Sequence, residues 1–287
     1  MPEQRMVVIT GASSGIGAAC ARYLDERGFC VWAGVRRKED GDELVLRSSA
    51  RLRPLLLDVT DQESISAAGR IVAAGAEETG LWGLVNNAGM SLAGPMELLP
   101  LSDVRAQFEV NVVGVLAVTQ TFLPMLRKRR GRLVNISSIA GRAATPFLGA
   151  YCGSKFALEA ISDALRLELA PWGISVSLVE PGAVRSQIWK RATMSARRIL
   201  DGAAPESVRL YEDSLSRMQS AVARAEGRAI PAEAVARTVA QALTAARPRA
   251  RYLVGHDARL RALLKWSLPD RLHDRLLAWY LGLPTRQ

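Results

Sequence analysis

Residues 6–17 read MVVITGASSGIG, a short apolar run that leads directly into a glycine-rich turn. A helical pattern follows at once, from Ala18 to Arg27. A strand, a turn without side chains and the first N–H groups of a helix can together bind the phosphates of a cofactor. The glycines Gly11, Gly15 and Gly17 are by themselves equally typical of an ordinary strand-to-helix turn, so other motifs have to decide between the two interpretations.

The first 180 residues alternate between short strand-like runs and longer helical patterns. Runs that are apolar throughout are typical of parallel strands covered on both faces. Right-handed crossovers then predict an α/β fold, a Rossmann-type doubly wound parallel sheet in a single domain. The predicted strands are Met6–Thr10, Cys30–Val35, Arg53–Leu57, Leu84–Asn86, Arg132–Ser137, Ile174–Val179 and Tyr252–Val254.

The pattern changes after Pro181-Gly182. Residues 185–230 are polar, rich in arginine and helical without a strand, which predicts a helical lid over the substrate. A further helix is expected to begin near Pro231. We therefore expect residues 1–255 to form the dinucleotide-binding and catalytic domain, and residues 256–287 to form an amphipathic helical extension.

Composition argues against several classes of protein. Hydrophobic residues make up 49% and charged residues 23% of the 287 residues, the balance of an ordinary globular protein. The three cysteines lack metal-ligand spacing, so neither a disulfide framework nor a metal site is predicted. No secretory signal is recognised, and the apolar run from Val112 to Leu126 contains polar residues, so we expect a buried helix and a cytoplasmic protein. The net charge of +10 comes with no nucleic-acid motif, and nucleic acid is not expected as a partner.

The end of the second predicted strand indicates the cofactor. An enzyme that uses NAD usually has an acidic residue here for the ribose 2′-hydroxyl, whereas one that uses NADP has a cation. This chain has Val35-Arg36-Arg37, and Glu39 comes about one turn too late. Arg36 could pair with a 2′-phosphate, so NADP(H) is predicted; solvated arginines that simply begin a helix are the alternative interpretation.

Two further features suggest proton transfer. Tyr151 and Lys155 are four residues apart, so they share one face of a helix. A phenol has a pKa of about 10, and lowering it by about 2 units requires about 3 kcal/mol of phenolate stabilisation, which an ammonium and a cationic nicotinamide could supply. Ser138 follows the fifth strand at the ligand-binding edge of the sheet, where its hydroxyl could polarise a carbonyl. Each feature also occurs alone in structural roles, as a surface pair or a helix cap.

Taken together, six elements have the order and spacing of the classical short-chain dehydrogenases/reductases, and residues 5–184 closely resemble that family. They are Thr10–Gly17, Asn86–Gly89, Asn111, Ser138, Tyr151 with Lys155, and Pro181-Gly182. The resemblance implies that Tyr151 is the general acid/base, that Lys155 lowers its pKa and holds the ribose, that Ser138 orients the carbonyl and that Asn111 anchors a water-mediated proton relay. It also implies cofactor contacts from Gly11, Ser13, Ser14, Gly15, Ile16, Gly17, Arg36, Asp58, Val59, Asn87, Ala88, Gly89, Tyr151, Lys155, Pro181, Gly182, Val184 and Ser186.

Two positions depart from the family pattern. Ser186 stands where many relatives have threonine, and Ser14 stands where many NADP-preferring members have a basic residue. NAD(H) therefore stays open as the alternative cofactor. Residues 31–36 and the C-terminal extension are similar to the branch that acts on retinoids, steroids and other lipophilic alcohols or ketones. The predicted reaction is hydride transfer between the nicotinamide and a carbonyl or alcohol carbon of such a small molecule.

The extension is predicted to form two cationic amphipathic helices. Their apolar faces consist of Leu260, Leu263, Leu264 and Leu268 and then Leu272, Leu276, Trp279 and Tyr280. Such helices can lie in a membrane interface, which would suit a lipophilic substrate. Packing on the domain or on a partner subunit is the alternative, and a homo-oligomer, dimer or tetramer, is expected.

Two other functions fit the same motifs. A redox sensor would bind NADP(H) without turnover, although it would have no need of Ser138, Tyr151, Lys155 and Asn111 together. A lyase or epimerase on this scaffold would catalyse a reaction without net consumption of the cofactor.

Overall fold

The computed structural model describes residues 5–77 and 79–284, so residues 1–4 of the predicted domain and 285–287 of the predicted extension lie outside the described residues. The strands are β1 (Met6–Ile9), β2 (Cys30–Val35), β3 (Leu52–Leu56), β4 (Gly83–Asn86), β5 (Arg132–Ile136), β6 (Ser175–Pro181) and β7 (Arg251–Val254). They form one parallel sheet in the order β3-β2-β1-β4-β5-β6-β7. The Rossmann-type sheet in a single domain is confirmed, and every predicted strand is present to within two residues at each end.

The helices cover both faces of this sheet. They are α1 (Gly15–Glu26), α2 (Lys38–Val45), α3 (Gln62–Gly75), α4 (Leu101–Phe108), α5 (Gly114–Arg129), α6 (Gly149–Leu169), α7 (Gln187–Asp201), α8 (Pro205–Arg209), α9 (Glu212–Gly227), α10 (Ala232–Thr244), α11 (His256–Ser267) and α12 (Asp270–Leu281). Strand β1 alternates between the two layers, with Val7 and Ile9 packed in the layer that contains residues of α1 and α10. Met6 and Val8 face the layer of α3 and α5. The sheet is therefore buried on both sides, as its apolar strands predict.

The strand order reverses between β1 and β4, because β2 and β3 lie on one side of β1 while β4 to β7 lie on the other. The carboxyl ends of strands on either side of such a switch point diverge and leave a crevice that binds ligands. The loops that follow β1, β4, β5 and β6 contain the residues that the sequence singles out.

One continuous helical segment from Leu101 to Arg129 is long and apolar enough, by length and composition, to cross a membrane. This differs from the expectation that no stretch would qualify. The segment comprises α4, one π-helical turn at Glu109–Val113, and α5. Val118, Phe122 and Leu126 on it have no solvent exposure and belong to the core layer against the sheet. This burial is that of a core helix, as predicted for the run from Val112 to Leu126.

The region after β6 is helical, as the sequence predicts. The lid segment forms α7, α8 and α9, and α10 follows directly after Pro231. The extension forms α11 and α12, but α11 packs on the domain through Ala258 and Ala262. Leu260 and Leu263 point outward and are more than half exposed. Leu264 and Leu268 are partly buried, so only part of the predicted leucine face of α11 is exposed within this chain.

Candidate active site

The glycine loop is fitted tightly to the loop that follows β4. Gly11 has φ +65°, and a Cβ atom on it would lie 2.8 Å from the Ala88 Cα atom. The Asn87 amide donates to the Thr10 and Gly11 carbonyls at 3.0 Å each, and the Thr10 hydroxyl accepts from the Asn87 and Ala88 N–H groups. This network holds the turn open and free of side chains where the phosphates of a dinucleotide would bind, so these residues fit such a cofactor.

The π-helical turn brings Asn111 into the centre of the site. The Asn111 side chain has no solvent exposure, and its oxygen accepts from the Met90 N–H at 2.9 Å. Its amide group donates to the Met90 carbonyl and to the Ser154 hydroxyl, both at 2.9 Å. One amide hydrogen thus binds the loop after β4 and the other binds α6, so the Asn111 side chain anchors this loop to α6. Its role in a proton relay stays a prediction.

Ser138 lies directly after β5 and has two kinds of contact. Its hydroxyl oxygen accepts from the Ala140 N–H at 3.1 Å and so caps the 3₁₀ turn Ile139–Gly141. The same hydroxyl donates to the Pro181 carbonyl at 3.5 Å, and its polar interaction with the Tyr151 phenol lowers the pKa of that phenol. Ser138 therefore caps this turn, and its role as a site residue stays a prediction.

Tyr151 and Lys155 lie on the first turns of α6, and the Lys155 ammonium is 5.9 Å from the centre of the Tyr151 ring. Burial raises the pKa of Tyr151 to about 12, although the Ser138 hydrogen bond works in the opposite direction. This is opposite to the lowered pKa that the family resemblance implies. Burial outweighs the chain's own polar groups, so they leave the phenol protonated at neutral pH.

Lys155 is almost fully buried, and its ammonium donates to the Ile136 carbonyl at 2.8 Å. Burial lowers the pKa of Lys155 to about 8, while the carboxylate of Glu159, one turn further along α6, raises it. A Cβ atom on Gly89 would lie 3.3 Å from the Asn111 oxygen and 3.9 Å from the Lys155 Nζ atom. Asn111, Lys155 and the loop after β4 therefore meet at one point.

Behind Lys155 lies a group of buried charges that the sequence did not reveal. The Arg251 guanidinium bonds to Glu159 at 3.0 Å and approaches Glu180 at 3.2 Å. Glu180 has no solvent exposure, and burial together with the nearby Glu159 charge raises its pKa to about 7, against the opposing effects of Arg142 and Arg251. Glu180 directly precedes Pro181, so this cluster supports the loop at the end of β6.

The loop after β6 is fixed by side chains from the C-terminal extension. The Asp257 carboxylate on α11 accepts from the Ala183 N–H at 2.7 Å. Arg261, one turn later, donates to the Ala143 carbonyl and the Thr145 hydroxyl in the loop before α6. Sequence reasoning missed both residues because neither belongs to a motif. The first turns of α11 thus position two loops of the site.

The remaining predicted residues lie where the sheet edge meets the lid. Ser186, at the beginning of α7, is 3.3 Å from where a Cβ atom on Gly15 would be. Val184 is buried and bridges to Ile230, and Val59 is buried under the start of α5. A cavity of about 430 Å³ beside the glycine loop is lined by Ser13, Ser14, Arg36, Arg37, Asp40, Asp58 and Arg191. Arg36 and Asp58 thus share one cavity, and Arg191 from the lid was not predicted to be there.

Comparison with known proteins agrees with this geometry. A family profile described as short chain dehydrogenase matches residues 5–196. Retinol dehydrogenase 16 of Homo sapiens is 38% identical over 289 residues, covering 99% of this chain and 91% of that protein. The short-chain dehydrogenase/reductase family 9C member 7 of Bos taurus is 40% identical over 298 residues, covering 99% and 92%.

Solved structures give the same result. A short-chain dehydrogenase from Streptomyces avermitilis superposes with a TM-score of 0.78 at 31% identity, over 97% of both chains. A short chain dehydrogenase from Burkholderia cenocepacia J2315, solved in complex with NADP, superposes with a TM-score of 0.74 at 26% identity, over 96% of this chain and 98% of that one.

Proposed function

Because the chain belongs to the short-chain dehydrogenase/reductase family of oxidoreductases and resembles its retinol-type branch, we propose that it is an NADP(H)-dependent enzyme acting on lipophilic alcohols and carbonyls. The observation that supports the reaction most directly is that the Ser138 and Tyr151 hydroxyls lie close enough to interact, with the Lys155 ammonium 5.9 Å from the centre of the Tyr151 ring. Retinoids, steroids and similar ketones or aldehydes are the proposed substrates.

The proposed mechanism assigns one task to each side chain. NADP(H), when bound, supplies or accepts the hydride. Ser138 donates a hydrogen bond to the carbonyl oxygen of the substrate and holds it beside the Tyr151 phenol. Tyr151 gives its proton to that oxygen during reduction and takes one back during oxidation. Lys155, fixed by the Ile136 carbonyl, would hold the cofactor ribose next to them.

The raised pKa of Tyr151, about 12, bears on the direction of reaction. A protonated phenol is ready to act as an acid, which reduction requires. Oxidation requires the phenolate, and positive charge from Lys155 and from an oxidised nicotinamide would have to stabilise it against the effect of burial. The side chains of this protein by themselves therefore favour the reductive role of Tyr151.

NADP(H) is the proposed cofactor because Arg36 follows β2 in the cavity beside the glycine loop, where a 2′-phosphate would meet it. NAD(H) is the alternative. The neighbouring Burkholderia structure contains NADP, which is a property of that protein.

The lipophilic substrate class has two supports. Several relatives are named retinol dehydrogenases at 37–39% identity. In addition, Leu92, Leu99 and Ile199 form an apolar cluster with Ala150, the residue beside Tyr151. These side chains are buried against one another, so they form an apolar layer beside the turn of α6 that contains Tyr151.

A panel of retinoid, steroid and short aliphatic alcohols and carbonyls, assayed with NADPH and with NADH at 340 nm, tests the proposal. We expect turnover to be fastest with a lipophilic substrate and NADPH. Fastest turnover with a short polar substrate, or with NADH, would refute the corresponding part. Tight NADPH binding with no turnover on any substrate would favour the sensor, and product formed without a change at 340 nm would favour the lyase or epimerase.

We further propose a cytoplasmic protein that touches membranes through the outer faces of α11 and α12. Exposed leucine, tryptophan and tyrosine side chains there lie among arginines, which suits an anionic lipid surface. A homo-oligomer is also proposed; Val113, Phe156 and Leu167 are exposed apolar residues that could contribute to its interface. Light scattering after size-exclusion chromatography tests the oligomer, and a purely monomeric profile would refute it.

A further inference from the structure

The charged cavity beside the glycine loop contains a residue from a distant part of the chain. Arg191 lies on α7, the first lid helix, 155 positions after Arg36. No nucleotide-binding motif includes this part of the lid. Arg191 is nevertheless exposed into the same cavity as Arg36, Ser13 and Ser14.

The contacts of α7 fix Arg191 at this position. Just before the helix, Val184 bridges to Ile230, and the Trp189 indole donates to the Val184 carbonyl at 3.1 Å. Ala192, the neighbour of Arg191, is buried. A helix with its first turn tied to the sheet edge and the next residue buried presents residue 191 in a defined direction.

The charges in the cavity are only partly balanced. Arg37 pairs with Asp40 at 2.7 Å. Within residues 5–77 and 79–284, Arg36 and Arg191 have no ion pair, yet both act on Asp40, whose pKa is lowered mainly by Arg37 and further by these two arginines. Three arginines and the two carboxylates of Asp40 and Asp58 line the cavity, so its net charge is positive, which suits a phosphate group.

We infer that Arg191 binds the 2′-phosphate of NADP(H) together with Arg36, so that this phosphate holds the lid helix in place over the cofactor. The inference rests on the proposed use of NADP(H) and goes beyond it by assigning a lid residue to cofactor recognition. Arginine is suited to the task because its planar guanidinium can make two hydrogen bonds to one phosphate.

The same helix reaches the substrate side of the site. Ile199, eight residues or about 12 Å further along α7, is buried in the cluster of Leu92, Leu99 and Ala150. The helix therefore connects the 2′-phosphate with the apolar surface beside Tyr151. NADP(H), but not NAD(H), would hold the Arg191 end of α7, while its Ile199 end packs in the apolar cluster.

The test uses two nucleotides that differ only in the 2′-phosphate, adenosine 2′,5′-bisphosphate and adenosine 5′-monophosphate. Calorimetry measures their binding to the wild-type protein and to Arg36→Gln, Arg191→Gln, Arg191→Lys and Arg197→Gln. Arg197 is an exposed arginine on the same helix that does not line the cavity, so it is the matched control. Circular dichroism melting checks that all variants are folded.

We expect Arg191→Gln to weaken binding of the bisphosphate by about tenfold or more and to leave binding of the monophosphate unchanged. Arg191→Lys should recover part of the loss, and Arg197→Gln should bind as wild type. Hydrogen exchange should show the bisphosphate protecting residues 187–201 in the wild type but not in Arg191→Gln.

Two negative outcomes are distinguishable. If the wild type prefers the bisphosphate and loses this preference in Arg36→Gln but keeps it in Arg191→Gln, the role of Arg191 is refuted while NADP(H) use stands. If the wild type binds both nucleotides equally, the proposed NADP(H) preference is itself refuted, and the role of Arg191 with it.

Discussion

Two regions of the molecule form the site by different means. At the carboxyl ends of β1, β4 and β5, polar side chains bond to backbone groups of neighbouring loops, as Asn87 does with Thr10 and Gly11 and Asn111 does with Met90. After β6, the site depends on single side chains from distant helices, such as Asp257 on the Ala183 N–H. In the first region many hydrogen bonds fix the residues that are proposed for the reaction. In the second region, few contacts position the loops that are proposed to surround the substrate.

In the first region, loss of the Tyr151 hydroxyl should have the largest effect on turnover. Tyr151→Phe removes the only proposed proton donor to the substrate, so kcat should fall by about 10³-fold, within the usual contribution of general acid–base catalysis. Binding of NADPH, followed by its fluorescence, should change little. Tyr23→Phe on α1 is the matched control, because that ring stacks under Arg27 away from the site. Undiminished turnover in Tyr151→Phe would mean that another group transfers the proton.

In the first region, the buried Lys155 cation should affect how the free energy of unfolding depends on pH. The folded protein releases the Lys155 proton near pH 8, because burial lowers that pKa, whereas the unfolded chain releases it near 10.5. Between these values the unfolded state binds more protons, so this lysine makes the free energy of unfolding rise with pH, by about 2 kcal/mol between pH 8 and 9.5. Urea titrations across this range should show the free energy of unfolding of the wild type rising relative to that of Lys155→Met. The opposing contribution of the buried Cys20 and Cys152 thiols, whose pKa values are raised, is common to both proteins and cancels in this difference.

Lys38→Met is the control for that experiment, because Lys38 is exposed at the beginning of α2. The raised pKa of Tyr151 has the opposite effect, since the unfolded chain loses that proton first. Its contribution begins near pH 10, above the range measured. Parallel pH profiles for the wild type and Lys155→Met would contradict a lowered pKa for Lys155.

Substitutions in the second region should have smaller effects on stability and on the kinetic constants. Asp257→Ala removes a charged acceptor from the Ala183 N–H and should destabilise the protein by about 1–2 kcal/mol. The loosened loop should raise KM for the substrate by about tenfold and lower kcat less, because the hydroxyl pair at Tyr151 is untouched. Asp213→Ala, an exposed carboxylate on α9, should change neither. A fall in kcat without a change in KM would place Asp257 in the chemical step instead.

The smallest effect on turnover is expected at the outer face of the second region. Trp266 and Trp279 are 83% and 78% exposed, and replacing both with serine should weaken binding to anionic vesicles by about tenfold. Turnover of a water-soluble substrate should not change. Trp172→Ser, at a half-exposed tryptophan that stacks with Arg127, is the control. If the wild-type protein does not sediment with such vesicles, the proposed membrane contact is wrong.

The same division explains what the sequence could predict. The strands, the glycine loop and the order of the motifs are local patterns, so the sheet and the placement of Ser138, Tyr151 and Lys155 follow from them. Asp257 binds a residue 74 positions away and Arg191 lines a cavity with a residue 155 positions away, and nothing local distinguishes either from other surface charges.

Two features of the site depend on the folded protein rather than on local sequence. Spacing to Lys155 suggested a lowered pKa for Tyr151, but the pKa depends on burial in the folded protein, which spacing does not measure. The leucine pattern of α11 correctly predicted an amphipathic helix and left open which side faces the domain. Ala258 and Ala262 settle it, because small residues let the helix approach closely while the exposed leucines remain outside.

Helix α11 contributes both to the site and to the outer surface of the molecule. Asp257 and Arg261 on this helix form hydrogen bonds with two loops of the site. Leu260 and Leu263 on the same helix are exposed to solvent. Only one helix diameter, about 10 Å, separates these two sets of side chains. A partner bound to the exposed leucines would contact the same twelve-residue helix whose Asp257 and Arg261 side chains hold two loops of the site, so we expect such binding to affect the substrate site.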